Sequence, residues 1–523
     1  MIDSKNKKLN IIFYILILLL IYSIFMTNPF LKYPFDVYVH LDRIEKQYNT
    51  NHLLHNRLFW HYIWAKIFHL LNIDNTQIFF RAYVIHYTQV LISFSGVFYF
   101  SYIFIKNIFK QIDKLYIKYL ALWSTIIWFT IYATNSMGIH QVWILWYSIN
   151  YQITLIFILV MLGLTISILY NNFNIYNKFI YIFIIIILAF IVLKMHAMEL
   201  LYYLMYLSTL SLVYIDKIFI YIRKNIYNGL IAIITIGLFV YNLPILVNHF
   251  ESKSSKIINY LSYDKIPQLY NQIMRDGYSL IRGLNRAYAS MNELIYLSII
   301  LVILLGIINI YSYIKKRDSF VRYRLLFFLI ITSLFVLIPL FQFSSGLAGM
   351  LVSSVYVVNR FYYSSLIFLV IPIFTYYILQ VINKKNIIYL NIYILFILFS
   401  IFLYSKYDIN HNQNYYKNIQ SIKNSFYREK VGFSLSSKNI KEIGKLKEKY
   451  KHDLNISKPY FFAREDIAFV LKHIYKEKVY LLHHYNGRKL NTNFYIVSYN
   501  KNKNKNKILF KVPINFPKYE PYK

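Results

Sequence analysis

The chain has 523 residues, 58% of them hydrophobic, 20% aromatic and only 15% charged, where soluble domains carry about 25% charged residues; an ordinary soluble fold is excluded. The formal charge of +35 comes with no helix-turn-helix, RNP or zinc-finger pattern, so nucleic acid is excluded as a partner. AT-rich codon usage explains most of the Lys, Asn, Ile, Tyr and Phe, the remaining basic excess suits anionic headgroups or a phosphate-bearing substrate, and the absence of cysteine rules out thiolate chemistry.

Lys5, Lys7 and Lys8 precede an apolar run from Ile11 to Phe25. No small-x-small cleavage site follows, so a retained first membrane helix is expected, with its basic flank in the cytoplasm. A polar region, residues 28–81, comes next and is too long for a hairpin turn. It opens on PFDVYVHLDRIEKQ (34–47), where Asp36 and His40, four apart, share one face of a helix. Asp42 and Glu45 have Arg43 and Lys46 beside them and read as a solvated face. In HNRLFWHYIWAKIFHLL (55–71), Phe59, Ile63, Ile67, Leu70 and Leu71 recur at helical spacing while His61, Lys66 and His69 interrupt them. That pattern predicts an amphipathic helix on the membrane surface, with Trp60 and Trp64 in the headgroup layer. His52, His55, His61 and His69 lack the spacing of a tight metal-ligand pair; contact with headgroups or substrate is the better use of them.

Further spans are predicted at 82–105, 119–135, 150–169, 179–194, 197–215, 226–248, 294–314, 325–343, 363–382 and 387–404, about eleven with the first. Lys106 to Lys118, Lys217 to Lys224, Lys315 to Arg324, and Lys384 with Lys385 occupy four connections. All four are cytoplasmic if the N-terminus is inside. Residues 28–81, the turn near Lys194, the loop 249–293, the turn near Arg360 and the C-terminus then lie outside. Lys194, His196 and Glu199 interrupt apolar sequence near helix ends, where charge costs less than at mid-membrane and Lys194 can pair with Glu199. Arg275, Arg282 and Arg286 read as a surface helix on acidic lipids, or as a hold on an anionic acceptor. Residues 1–404 are expected to form the membrane domain and 405–523 a small extracytoplasmic α+β domain. In the latter, VYLLHH (479–484), NFYIVSY (493–499) and KILFKV (507–512) read as strands, 465–478 as a helix and KNKNKNK (501–507) as a solvated hairpin tip.

Several of these features together resemble the GT-C superfamily of membrane glycosyltransferases. They are a first helix, a long outer loop opening on an acidic residue, a His-containing amphipathic segment, and Arg81 at the start of the second helix. VLKMHAMELLYYL (192–204) looks like the family's Lys-containing turn, and VVNRFYYSSLIFLVIPIF (357–374) like its Arg-led approach to a late helix. The resemblance covers about residues 10–404 and is close to protein mannosyltransferase-like and aminoarabinose transferase-like members. It implies an α-helical polytopic enzyme of a bacterial inner membrane. The donor would be a polyprenyl-phosphate sugar, and the acceptor a glycan, lipid or protein outside the cytoplasm.

By the same resemblance Asp36, the first acidic residue of the loop, takes the catalytic position as general base, with His40 orienting it, contacting phosphate or binding metal. Many members have two adjacent acids here, whereas Val37 follows Asp36. A helix cap for Asp36 and an interfacial role for His40 are the structural alternatives. His55, Arg57, Arg81, Lys194, His196, Glu199, Arg360 and Tyr362 would surround the donor. Its departing phosphate needs fixed positive charge from Lys, Arg or a divalent metal, and no metal ligand is assigned. A polysaccharide polymerase or ligase, relying on the outer-loop arginines, is the alternative enzyme. A flippase or transporter would show paired repeats and broken mid-membrane helices, and the sequence has neither.

Overall fold

A computed structural model describes residues 2–25, 35–50, 52–54, 58–74, 77–132, 150–171, 173–196, 199–224, 265–315, 320–351, 364–382 and 386–407, short strands beyond residue 459, and isolated positions between these stretches. The helices are α1 (Ile2–Phe25), α2 (Phe35–Thr50), α3 (Phe59–Leu70), α4 (Ile78–Ile108), α5 (Lys114–Tyr132), α6 (Asn150–Tyr170), α7 (Ile175–His196), α8 (Leu200–Val213) and α9 (Ile215–Lys224). They continue as α10 (Ile266–Asp276), α11 (Leu280–Ser290), α12 (Glu293–Ile314), α13 (Phe320–Ser333), α14 (Gln342–Leu351), α15 (Val370–Val381) and α16 (Ile387–Tyr407). A 3-10 segment, Leu334–Leu340, extends α13, and another, Ile367–Leu369, leads into α15.

The chain is a helical membrane protein. Among the described residues, six segments are long and apolar enough to cross a bilayer: Phe80–Ile108, Ile153–Tyr170, Ile175–Met195, Glu293–Ile314, Arg322–Leu340 and Ile387–Tyr407. Lys8–Tyr22, Leu200–Val213 and Ile367–Val381 are shorter apolar helices. The predicted span 226–248 lies almost wholly outside the described residues. Ile153–Tyr170 is 67% buried and Ile175–Met195 only 11%, so α6 is central while α7 turns Phe179, Phe183, Ile186 and Phe190 outward. Lipid gives helices no hydrophobic reason to associate, so close backbone approach has to supply the packing. At Gly96 of α4 an added Cβ would sit 2.3 Å from Ile156 Cγ2 of α6. Buried hydroxyls cost little because Ser93, Ser124, Thr125, Ser298 and Thr332 each donate to the carbonyl four residues back.

Side-chain contacts define two ends of the bundle. At the first, Phe109 after α4 packs on the Tyr376 and Tyr377 rings, and Arg322 Nε donates to the Tyr377 hydroxyl at 2.8 Å. Arg324 binds Asp216 at 2.5 Å, and the Tyr119 hydroxyl donates to the Leu9 carbonyl at 3.1 Å. The Lys- and Arg-rich connections gather here. At the second, Asn292 Nδ2 donates to the Ile131 carbonyl at 3.5 Å, while inside the bundle Ser365 Oγ donates to the Ser333 carbonyl at 2.7 Å. Also at the second end, Tyr415 N–H binds Glu293 Oε2 at 2.7 Å and Tyr416 N–H binds Ser405 Oγ at 3.0 Å. This second end, from which the longer connections leave the helices, is the loop end.

In the tail, β1 (Tyr460–Ala463), β2 (Lys478–Leu481), β3 (Phe494–Tyr499) and β4 (Ile508–Lys511) form one sheet in the order β2-β1-β3-β4. β1 is parallel to β2 and to β3, and β4 runs antiparallel to β3. The last three strands fall on VYLLHH, NFYIVSY and KILFKV. The first, YFFA, has no counterpart in the sequence reading. KNKNKNK connects the antiparallel neighbours β3 and β4; it and the predicted helix 465–478 lie outside the described residues.

Candidate functional site at the loop end

The loop after α1 folds as two helices side by side. His40 of α2 meets His61 of α3, with Nδ1 and Nε2 2.7 Å apart. Eight residues on, Tyr48 meets His69: the rings stack at 3.6 Å and His69 Nε2–H donates to the Tyr48 carbonyl at 2.9 Å. Because the two contacts advance together along both helices, α2 and α3 run in the same direction. The linker must therefore double back along α2. Leu54 N–H, bonded to Gln47 Oε1 at 3.4 Å, lies on that return.

The two imidazole planes differ by only 8° with centroids 4.9 Å apart, the arrangement of rings meeting edge to edge through an N–H···N bond. One nitrogen must carry the hydrogen. Burial, then His40 and Arg43, hold His61 well below the ordinary histidine range, against the weaker pull of the Leu58 carbonyl. Trp60 closes the site with its ring edge-on to His40 at 5.6 Å. Asp36 lies in the first turn of α2, one turn before His40; its side chain is outside the described residues.

Arg81, at the start of α4, ties this pair to the bundle. It is buried, donates through Nη2 to the Ile73 carbonyl, and lies 4.1 Å from the Tyr48 ring centroid and 4.9 Å from that of Phe68. On the other side α3 packs against α7. Lys194, near the end of α7, is half-buried with Nζ 5.6 Å from the Phe190 ring centroid. Glu199 is fully buried where α8 begins, and Tyr362 is buried beside Ser364, whose carbonyl accepts from the Tyr206 hydroxyl. His55, Arg57 and Arg360 lie outside the described residues, as does the side chain of His196, whose backbone closes α7.

Thus His40, Arg81, Lys194 and Glu199 lie at the loop end, Tyr362 is buried within the bundle, and only His40 and Arg81 are tied directly to the α2–α3 pair. Sequence reasoning missed the partnership of His40 with His61 and the buried Glu293. The eight-residue spacing shared by His40/Tyr48 and His61/His69 was the available signal for the first. Among the described residues no three His, Asp or Glu side chains meet as metal ligands, and His40 and His61 are bonded to each other rather than turned toward a common point. Compared with known proteins, the chain matches no family model, no curated protein and no solved structure.

Proposed function

We propose that the chain is a GT-C-like glycosyltransferase, moving a sugar from a polyprenyl-phosphate-linked donor to a glycan, lipid or protein acceptor outside the cytoplasm of a bacterial inner membrane. The supporting observation is the α2–α3 pair, which sets Asp36 one turn from the bonded His40 and His61 at the loop end of the bundle. On this reading the loop end is extracytoplasmic and the N-terminus cytoplasmic. About eleven spans make up residues 1–404, and 405–523 form a small extracytoplasmic α+β domain.

The acceptor hydroxyl attacks the anomeric carbon of the donor sugar through an oxocarbenium-like transition state. The bond from that carbon to the phosphate oxygen breaks, and its electron pair leaves on the polyprenyl phosphate. Asp36 takes the hydroxyl proton, with His40 beside it as a second proton acceptor. Lys194 and Arg360 meet the phosphate charge, with His55, Arg57, His196, Glu199 and Tyr362 completing the donor site. Arg81, held by Ile73 and covered by Tyr48 and Phe68, positions the helix pair.

The test compares, by mass spectrometry, surface glycans and lipid-linked intermediates in cells with the native chain, none, or Asp36→Asn at matched membrane levels. Loss of one sugar in both deficient strains, with its polyprenyl-phosphate carrier accumulating, is expected. Native behaviour of Asp36→Asn, with a whole polymer lost on deletion, would transfer the assignment to a polymerase or flippase. The exposed Arg275 and Arg282 are the observation favouring a polymerase.

A further inference from the structure

Helices α10 and α11 sit on the end of a membrane segment with almost no side chain between the backbones. An added Cβ on Gly277 would lie 2.0 Å from the Gln342 carbonyl oxygen, on Gly346 2.0 Å from that of Ile273, and on Gly283 2.5 Å from that of Leu340. Gln342 Nε2 donates to the Met274 carbonyl at 2.6 Å, and Tyr278 N–H to Ser345 Oγ at 2.9 Å. These contacts set the height of α11. Gly283 touches Leu340, the last residue of the span Arg322–Leu340. Ser290, the end of α11, precedes Glu293, the first residue of the next span, by three residues, at most about 10 Å of chain. The helix is tied at two points to the level where spans leave the membrane.

Around α11, Leu280, Ile281 and Leu284 are 57%, 74% and 51% exposed. At helical spacing they share one arc of about 100°, adjoining the side on which Gly283 meets the bundle, while Arg282 falls on the opposite side and Asn285 on the flank about 40° beyond Ile281. Arg282 lies over the Tyr278 ring at 5.2 Å, and Arg275 is exposed on α10. An exposed apolar arc with Arg282 on the opposite side, at the height where two spans end, is the pattern of a helix lying in a bilayer surface.

We infer that α11 is embedded in the membrane boundary at the loop end, with Leu280, Ile281 and Leu284 among lipid acyl chains and Arg282 at the headgroup phosphates. Lipid is the occupant because the pinned height leaves the bilayer beside this arc, and Arg282 complements anionic headgroups. The inference holds whatever reaction the loop end performs.

The chain has no cysteine, so single substitutions to Cys at Leu280, Ile281, Arg282, Leu284 and Asn285 carry a nitroxide label without background. The full-length variants are reconstituted in phosphatidylcholine–phosphatidylglycerol vesicles, and label collisions with oxygen, which partitions into lipid, are compared with those of a water-soluble nickel chelate. Labels at 280, 281 and 284 are expected to favour oxygen several-fold, the label at 282 the chelate, and the flanking label at 285 to fall between them. Equal access of the chelate to all five positions would put the helix in water and overturn the inference. So would shielding of the apolar three from both reagents, because a protein surface, such as a second copy of the chain, would then cover them. The five sites are exposed, so loss of any one variant leaves the periodicity readable.

Discussion

Replacing Gly346 by alanine tests whether α10 and α14 meet backbone to backbone. The new methyl would lie 2.0 Å from the Ile273 carbonyl oxygen and 3.2 Å from Gly277 Cα, where ordinary contact begins at 3.4 Å. Neither neighbour is a flexible side chain, so α10 has to withdraw by more than an ångström. That movement breaks the bonds from Gln342 to Met274 and from Tyr278 to Ser345, each about 1 kcal/mol net. Overpacking adds about 1–3 kcal/mol, and alanine returns up to about 1 kcal/mol of helix propensity. The expected loss is about 2–4 kcal/mol. Gly306→Ala is the matched control: its Cβ would meet only Ile330 Cδ1, at 3.9 Å, so a gain of up to about 1 kcal/mol is expected. Thermal and detergent unfolding of purified protein in micelles reads both. If Gly346→Ala unfolds with the native chain, or the two variants behave alike, the close contact is absent and the height assigned to α11 loses its basis.

Acid should weaken the α2–α3 pair. Burial, followed by His40 and Arg43, depresses His61, so below about pH 6.5 the unfolded segment takes up a proton that the folded one refuses. Stability present above that pH is lost as pH falls, by up to about 1.4 kcal/mol per pH unit until the folded ring itself titrates. His61→Phe should be less stable than native at about pH 8, because His40 loses its hydrogen-bond partner, yet show a shallower acid loss; parallel melting curves against pH for both proteins would refute this. At the junction with the tail, Glu293→Ala leaves the buried Tyr415 N–H without its acceptor, a cost of about 1–3 kcal/mol. Glu293→Gln, which keeps a carbonyl oxygen, should cost less. Limited proteolysis after Tyr407 reports the difference, and equal cleavage in Glu293→Ala and native protein would show that the bond does not hold the junction.

Six of the predicted spans are legible because they are long apolar runs with few charges, and the segment at 55–71 is legible as a helix, α3, because its apolar residues keep helical spacing. Both signals are local. The contacts that build the loop end are not: His40 reaches His61 only because α2 and α3 run in the same direction, and Glu293 meets a backbone N–H 122 residues away. Periodicity identified α3 as a helix but not its buried face, which is Trp60, His61, Trp64, Ala65 and Phe68 while Leu70 and Leu71 are exposed, and it never tells which distant face a helix meets. Ionisable groups inside a membrane protein are expensive unless paired or near an interface. At the loop end His61, Arg81, Glu199 and Glu293 are nonetheless buried, in a chain with only 22 acidic residues. His61 is bonded to His40, Arg81 to the Ile73 carbonyl and Glu293 to Tyr415 N–H, so the fold holds these costly groups at one end with defined partners. That concentration, more than any single motif, is the physical reason to look for the chemistry there.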